Sequence, residues 1–133
     1  MKKIFAIFMS SIIFFAACGG QKSEPISQNY FKLDVPTSNS KIESPVNLSG
    51  QAKGPMFFEG SFPVSIEDAN GAVLGTDVAK ADGEWMTDKD VPFKATINFK
   101  KSATKTGFIV LKNNNPSGLP DNEHSVKFSI SFK

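Results

Sequence analysis

From Tyr30 to Phe132 apolar side chains recur at every second position, and this period of two constrains the fold most, because successive strand residues point to opposite faces. Helical spacing is nowhere sustained. Phe31, Leu33 and Val35 form one set, Val46, Leu48, Gly50 and Ala52 a second after Ser44-Pro45, and Phe62, Val64 and Ile66 a third. Pro63 lies on the opposite face of that third strand and cannot donate to a ladder, which predicts an edge strand or a bulge. Asp68-Ala69-Asn70-Gly71 carries an Asn-Gly pair, the usual chemistry of a type I′ hairpin, so a fourth strand is expected from Ala72 to Ala79. Phe93, Ala95, Ile97 and Phe99 alternate with Lys94, Thr96, Asn98 and Lys100 in a fifth strand. Phe108-Ile109-Val110-Leu111 is apolar on both faces and predicts a central strand covered from both sides. Val126, Phe128, Ile130 and Phe132 alternate with polar residues in the last strand. Seven short strands with turn signals between them predict an all-β fold, an antiparallel immunoglobulin-like β-sandwich over residues 30–133.

Such a domain has to hold by packing alone, because the single cysteine, Cys18, is placed for another use. It ends an apolar run from Ile4 to Ala17 that follows Lys2-Lys3 and is interrupted only by Ser10 and Ser11. A basic start, a short apolar stretch and small residues before a cysteine read as a lipoprotein signal peptide over residues 1–17. A membrane-spanning helix would need about 18 or more consecutive apolar residues, and this run falls short. Lipidation of Cys18 would make it the first residue of the mature protein, held at a membrane on the extracytoplasmic side of a bacterial cell envelope. Several acyl chains, each adding about 0.8 kcal/mol per buried methylene, anchor firmly where one would not. Residues 18–29 then form the lipidated cysteine and a flexible linker, rich in Gly, Gln, Ser and Pro and nearly devoid of apolar content.

Processing also settles the charge. The chain carries 15 basic side chains, all lysine, against 13 acidic ones. Loss of Lys2 and Lys3 brings the two into balance, and a neutral domain lacks the broad positive field that nonspecific nucleic-acid binding requires. No nucleic-acid partner is expected, and the absence of arginine removes the side chain best suited to bidentate phosphate recognition.

With strands alternating in direction, the loops sort onto two ends. One gathers 53–58, 81–91 and 113–123, with Met56 among them, and offers Phe57, Phe58, Trp85, Met86 and Asn114 as candidate binding residues. Loops on a rigid scaffold are where recognition usually resides, although an aromatic such as Trp85 more often plugs the open end of a small sandwich. Phe57 and Phe58 cannot both point inward in an extended segment, so one of them is expected to face solvent. The other end gathers Lys41, Lys100, Lys101, Lys105 and Lys133, which would meet an anionic polymer or lipid, or simply solvate edges against pairing with other chains.

For catalysis the inventory is thin, since His124 is the only histidine and no serine stands in a glycine-elbow context. The chain is expected not to be an enzyme and to need no cofactor. Asp82, Glu84, Asp88 and Asp90 share one loop without the spacing of a twelve-residue calcium site, and Lys89 among them favours a solvated acidic turn. A small hydrolase using these carboxylates is the least favoured reading. The alternative function is a metal carrier in which Met56, Met86 and His124 hold Cu(I), for which soft ligands are suited.

The order of Ser44-Pro45 before Val46 and Gly50, Phe58-Glu59-Gly60 with Phe62 and Val64, then Asp68, Gly71, Leu74 and Trp85 resembles a known family. Pro92-Phe93 with Ala95, Ile97 and Phe99, then Gly107, Ser117-Gly118 and Pro120, continue the pattern. The family is the immunoglobulin-like domain of bacterial spore germination proteins, and the likeness spans most of 44–132. One departure stands out, because in the family the tryptophan sits almost beside the proline-phenylalanine pair, whereas Met86 to Val91 intervene here. The resemblance implies an extracytoplasmic, noncatalytic sandwich. Together with the residue-level reading, it leads to the expectation of a lipid-anchored module that recognises an envelope protein or glycan through loop surfaces.

Overall fold

A computed structural model describes residues 30–133; the expected signal peptide, Cys18 and the linker lie outside the described residues. Eight strands follow in order: β1 (Phe31–Val35), β2 (Lys41–Ile42), β3 (Val46–Lys53), β4 (Ser61–Asp68), β5 (Val73–Ala81), β6 (Asp90–Ile97), β7 (Thr106–Lys112) and β8 (Ser125–Phe132). Single 3-10 turns at Gly54–Met56 and Pro120–Asn122 are the only helical pieces among the described residues. Seven of the strands were expected. The eighth, β2, is two residues long and pairs parallel to the end of β8, with Lys41 opposite Ser131. So short a piece carries no alternation, and only its register against β8 defines it.

The ladder runs β1-β3-β6-β5-β4-β7-β8-β2 and folds over on itself. β5 lies along β4 for most of its length and then crosses to β6 through Lys80 and Ala81, so one strand serves both layers. The layers β1-β3-β6 and β5-β4-β7-β8-β2 face each other through the alternate residues that the period of two selects. Phe62 of β4 sits at the centre of the contact, with ring centroids 5.3 Å from Phe31, 5.1 Å from Phe57 and 5.0 Å from Phe93, all edge-on. Edge-on pairs add to the area term because ring edges and faces carry opposite partial charge. Around them Leu48, Ile66, Ile97, Ile109 and Leu111 are closed to solvent.

Three local expectations are corrected. β4 is not an edge strand, since it pairs with both β5 and β7, and its bulge falls at Ile66/Glu67. Pro63 is tolerated because the β7 ladder ends at Val64 opposite Leu111, one residue short of it. The 68–72 hairpin is not type I′, for only Gly71 has positive φ (84°) and Asn70 does not. Asp68 explains this, because its buried Oδ1 accepts the N–H of Asn70 and of Ala72, both at 2.9 Å, and its C=O accepts that of Gly71. These bonds close a three-residue loop with glycine in the left-handed position, and they also satisfy the buried carboxylate. Finally, β7 is central in its layer but covered on one face only. Its outer residues Phe108 and Val110 are half-buried, and the Lys127 ammonium, itself 3.1 Å from Glu67 Oε2, lies 5.5 Å over the Phe108 ring.

Candidate functional site

The strand directions place the loops as expected, on two ends of different chemistry. At the end where the described chain begins, Lys53 donates its N–H to the Tyr30 carbonyl, and the 54–60 segment turns under the 82–89 loop. The turn Phe58-Glu59-Gly60-Ser61 is closed by reciprocal backbone bonds between Phe58 and Ser61 (2.9 and 3.2 Å), with φ of 51° at Glu59 and 77° at Gly60. Two successive positive φ values define a type I′ turn. The Asn-Gly expectation therefore applies to the wrong pair, and a glutamate in left-handed backbone gave no sequence signal for the right one.

Gly60 is also where Trp85 rests, since a Cβ there would stand 3.3 Å from the indole Nε1. Trp85 is half-buried against the core. Residues 86–89, which lie in the stretch that departs from the family pattern, fit because Gly54 has no side chain: a Cβ there would lie 1.7 Å from the Thr87 carbonyl oxygen. Of the paired phenylalanines, Phe57 is core and Phe58 is 43% exposed. Met86 is 73% exposed and borders a shallow pocket of about 350 Å³ with Pro55, Trp85 and Asp88. Asn114 is half-buried and donates its N–H to the Met56 carbonyl at 3.2 Å. Its neighbour Asn113 was not anticipated. It is buried, its amide donates to the Asn122 carbonyl at 2.7 Å, and its Oδ1 accepts the His124 N–H at 2.8 Å, which pins the loop between β7 and β8.

The metal-carrier residues are not gathered on one surface. Met56 is buried in the core, Met86 is exposed, and the His124 ring stacks on Tyr30 at 4.5 Å. The acidic loop is divided by ion pairs, Asp82 with Lys94 (3.5 Å) and Asp90 with Lys53 (2.8 Å). Among the described residues no three His, Cys, Asp or Glu side chains converge as a metal would need. None of the described hydrogen bonds joins the His124 ring to a hydroxyl or carboxylate, as a serine mechanism would require.

At the opposite end the loop 98–105 packs over the mouth of the sandwich. The Phe99 N–H donates to Ser44 Oγ (2.9 Å), that of Lys100 to the Leu74 carbonyl (3.0 Å) and that of Phe132 to the Lys105 carbonyl (2.9 Å). Between this loop and the end of β2 lies a cleft of about 500 Å³. A larger cleft of about 550 Å³ follows β1 at the seam between layers, but the charges beside it are internally paired, Lys32 with Asp34 and Lys53 with Asp90.

No curated protein and no solved structure matches the chain. The sequence model of one family does, over residues 31–118, which takes in β1 to β7 and the start of the loop that Asn113 pins. Only β8 lies wholly beyond the match, and it completes the second layer by pairing with β7 and β2. With the fold and the matched span in agreement, the chain belongs to the family described as the immunoglobulin-like domain of bacterial spore germination.

Proposed function

We propose that this protein is a lipid-anchored, noncatalytic binding module of the bacterial cell envelope, tethered through Cys18 and presenting loop surfaces to an envelope protein or glycan. What carries the reading is the way the fold treats its loops. Both ends are fixed to the sandwich by backbone bonds and close packing, yet Phe58 and Met86 remain exposed beside the half-buried Trp85. Apolar side chains on loops whose backbone is already held in place spare a complex the cost of ordering those loops, which suits a recognition surface. Family membership supports the noncatalytic part, and the apolar run ending at Cys18 supports the anchor.

Two measurements test it. Metabolic labelling with a fatty-acid analogue is expected to mark the wild-type chain and to vanish in Cys18→Ser; unchanged labelling removes the anchor. Photo-crosslinkers placed at Met86 and at Lys101 in intact cells are expected to capture a defined envelope component from at least one end. A chain that captures nothing from either position, while folded and at its membrane, is not a binding module.

A further inference from the structure

We infer that the cleft between β2 and the 98–105 loop is a binding site for an acidic glycan, read by an aromatic floor and a rim of unpaired lysines. This deepens the binding-module reading and rests on it. The floor is Phe99 and Phe132, whose ring centroids lie 5.8 Å apart with the planes tilted by 55°. Both rings are half-buried, and their place follows from missing side chains beneath them. A Cβ on Gly107 would stand 2.7 Å from the Phe132 ring, and one on Gly75 would stand 2.9 Å from the Phe99 Cβ.

Around the floor the cleft is lined by Ser44, Ser102, Lys101 and Lys105, and by Glu43, whose carboxylate is paired with Lys133. Lys41 and Lys100 flank the same end. Among the described residues none of these four lysines has a carboxylate within 4.0 Å. Lys133 alone at this end is paired, to Glu43 at 3.2 Å. Of the six lysines in the described chain without such a partner, four therefore cluster here, which is a local excess in a domain whose charges otherwise balance. The rim does not have to be ordered on binding, because the backbone bonds of Phe99, Lys100 and Phe132 and the Thr104 hydroxyl, donating to the Thr106 carbonyl at 2.8 Å, already hold the loop.

This combination selects the ligand class. A sugar ring offers an apolar C–H face to an aromatic floor and hydroxyls to the serine rim, and carboxylates or phosphates on it answer the lysines. The cleft's volume, about 500 Å³, falls within the usual range for small-molecule sites. A nucleic acid would want a wider basic field than four lysines on one end of a neutral domain. The described chain begins at the other end of the domain, so this cleft and Tyr30 lie at opposite ends of the sandwich.

The test is a titration of the isotope-labelled full chain in detergent with an oligogalacturonate and with its methyl-esterified, uncharged counterpart. Saturable amide shifts at Ser44, 99–105 and Phe132 are expected with the acid and none with the ester. Lys101→Ala with Lys105→Ala should weaken binding at least about tenfold, added salt should weaken it further, and Phe132→Leu should reduce it while leaving the fold intact. Equal shifts from the ester, equal shifts from a single-stranded oligonucleotide of matched charge, or no saturable shift with the acid each overturn the assignment. Crosslinking from Met86 and Lys101 separates the failures. If capture from Met86 or Lys101 persists while the cleft binds neither probe, only this inference falls; if capture is lost from both positions, the binding-module reading falls with it.

Discussion

The two ends of the sandwich close the same core by opposite means. Where the described chain begins, apolar side chains do the closing: Met56 and Phe57 are buried, and Trp85 lies over Gly60. At the other end a loop pinned through its backbone leaves two half-buried rings lining a cleft. Charge divides in the same way. Among the described residues Glu59, Glu84, Asp88 and Asp121 at the first end have no lysine within 4.0 Å, while Lys41, Lys100, Lys101 and Lys105 at the second have no carboxylate. The neutral total therefore hides an axial separation, with an excess of acid and exposed apolar groups where the described chain begins and an excess of base at the opposite end. Similar sheets can thus carry two unlike surfaces, one shaped by packing and the other left free for charge.

The sharpest way to break this contrast is to empty the packed end. Phe62 is closed to solvent and touches three other rings, so Phe62→Ala should cost about 3–5 kcal/mol in urea unfolding, the usual price of an aromatic deletion in a core. A loss below about 1 kcal/mol would mean that packing does not close this end. A milder probe is Gly60→Ala. It forces an L-residue into φ of 77° and brings a methyl to 3.3 Å from Trp85 Nε1, so about 1–2 kcal/mol should be lost, together with a shift in Trp85 fluorescence. Unchanged emission would detach Trp85 from the turn.

The sheets were legible in the sequence because burial on one face leaves its mark at every second residue. β3, β4 and β6 bury the residues that the alternation selects, and β8 buries Val126 and Ile130 while Phe128 and Phe132 are half-buried. What escaped was set by pairing or by single atoms. β2 exists only through its register with β8, and the turn at Asp68 is decided by one carboxylate oxygen capturing two amides. The basic end was visible as a set of lysines, but its aromatic floor was not. Phe99 and Phe132 read as ordinary inward positions of two strands, whereas β6 stops at Ile97 and leaves Phe99 beyond the sheet. Glycines opposite both rings were the one available signal, and a glycine in a strand seldom says which side chain will fill its place.

The smallest expected effect bears most directly on the contrast. Replacing both Lys101 and Lys105 by alanine should change unfolding stability by no more than about 0.5 kcal/mol, because both side chains are exposed and neither ammonium has a carboxylate to lose. The sign can be argued as well. Lys41, Lys100, Lys101 and Lys105 share one end, so their mutual repulsion acts against the folded state, and removing two of them should favour it slightly at low salt. Salt should erase that gain, since the screening length shrinks to about 10 Å at 0.1 M. A destabilisation above about 1 kcal/mol, independent of salt, would show instead that the lysine stems pack over Phe99 and Phe132. The basic end would then be a plug like its opposite, and the cleft would have no free rim with which to read a ligand.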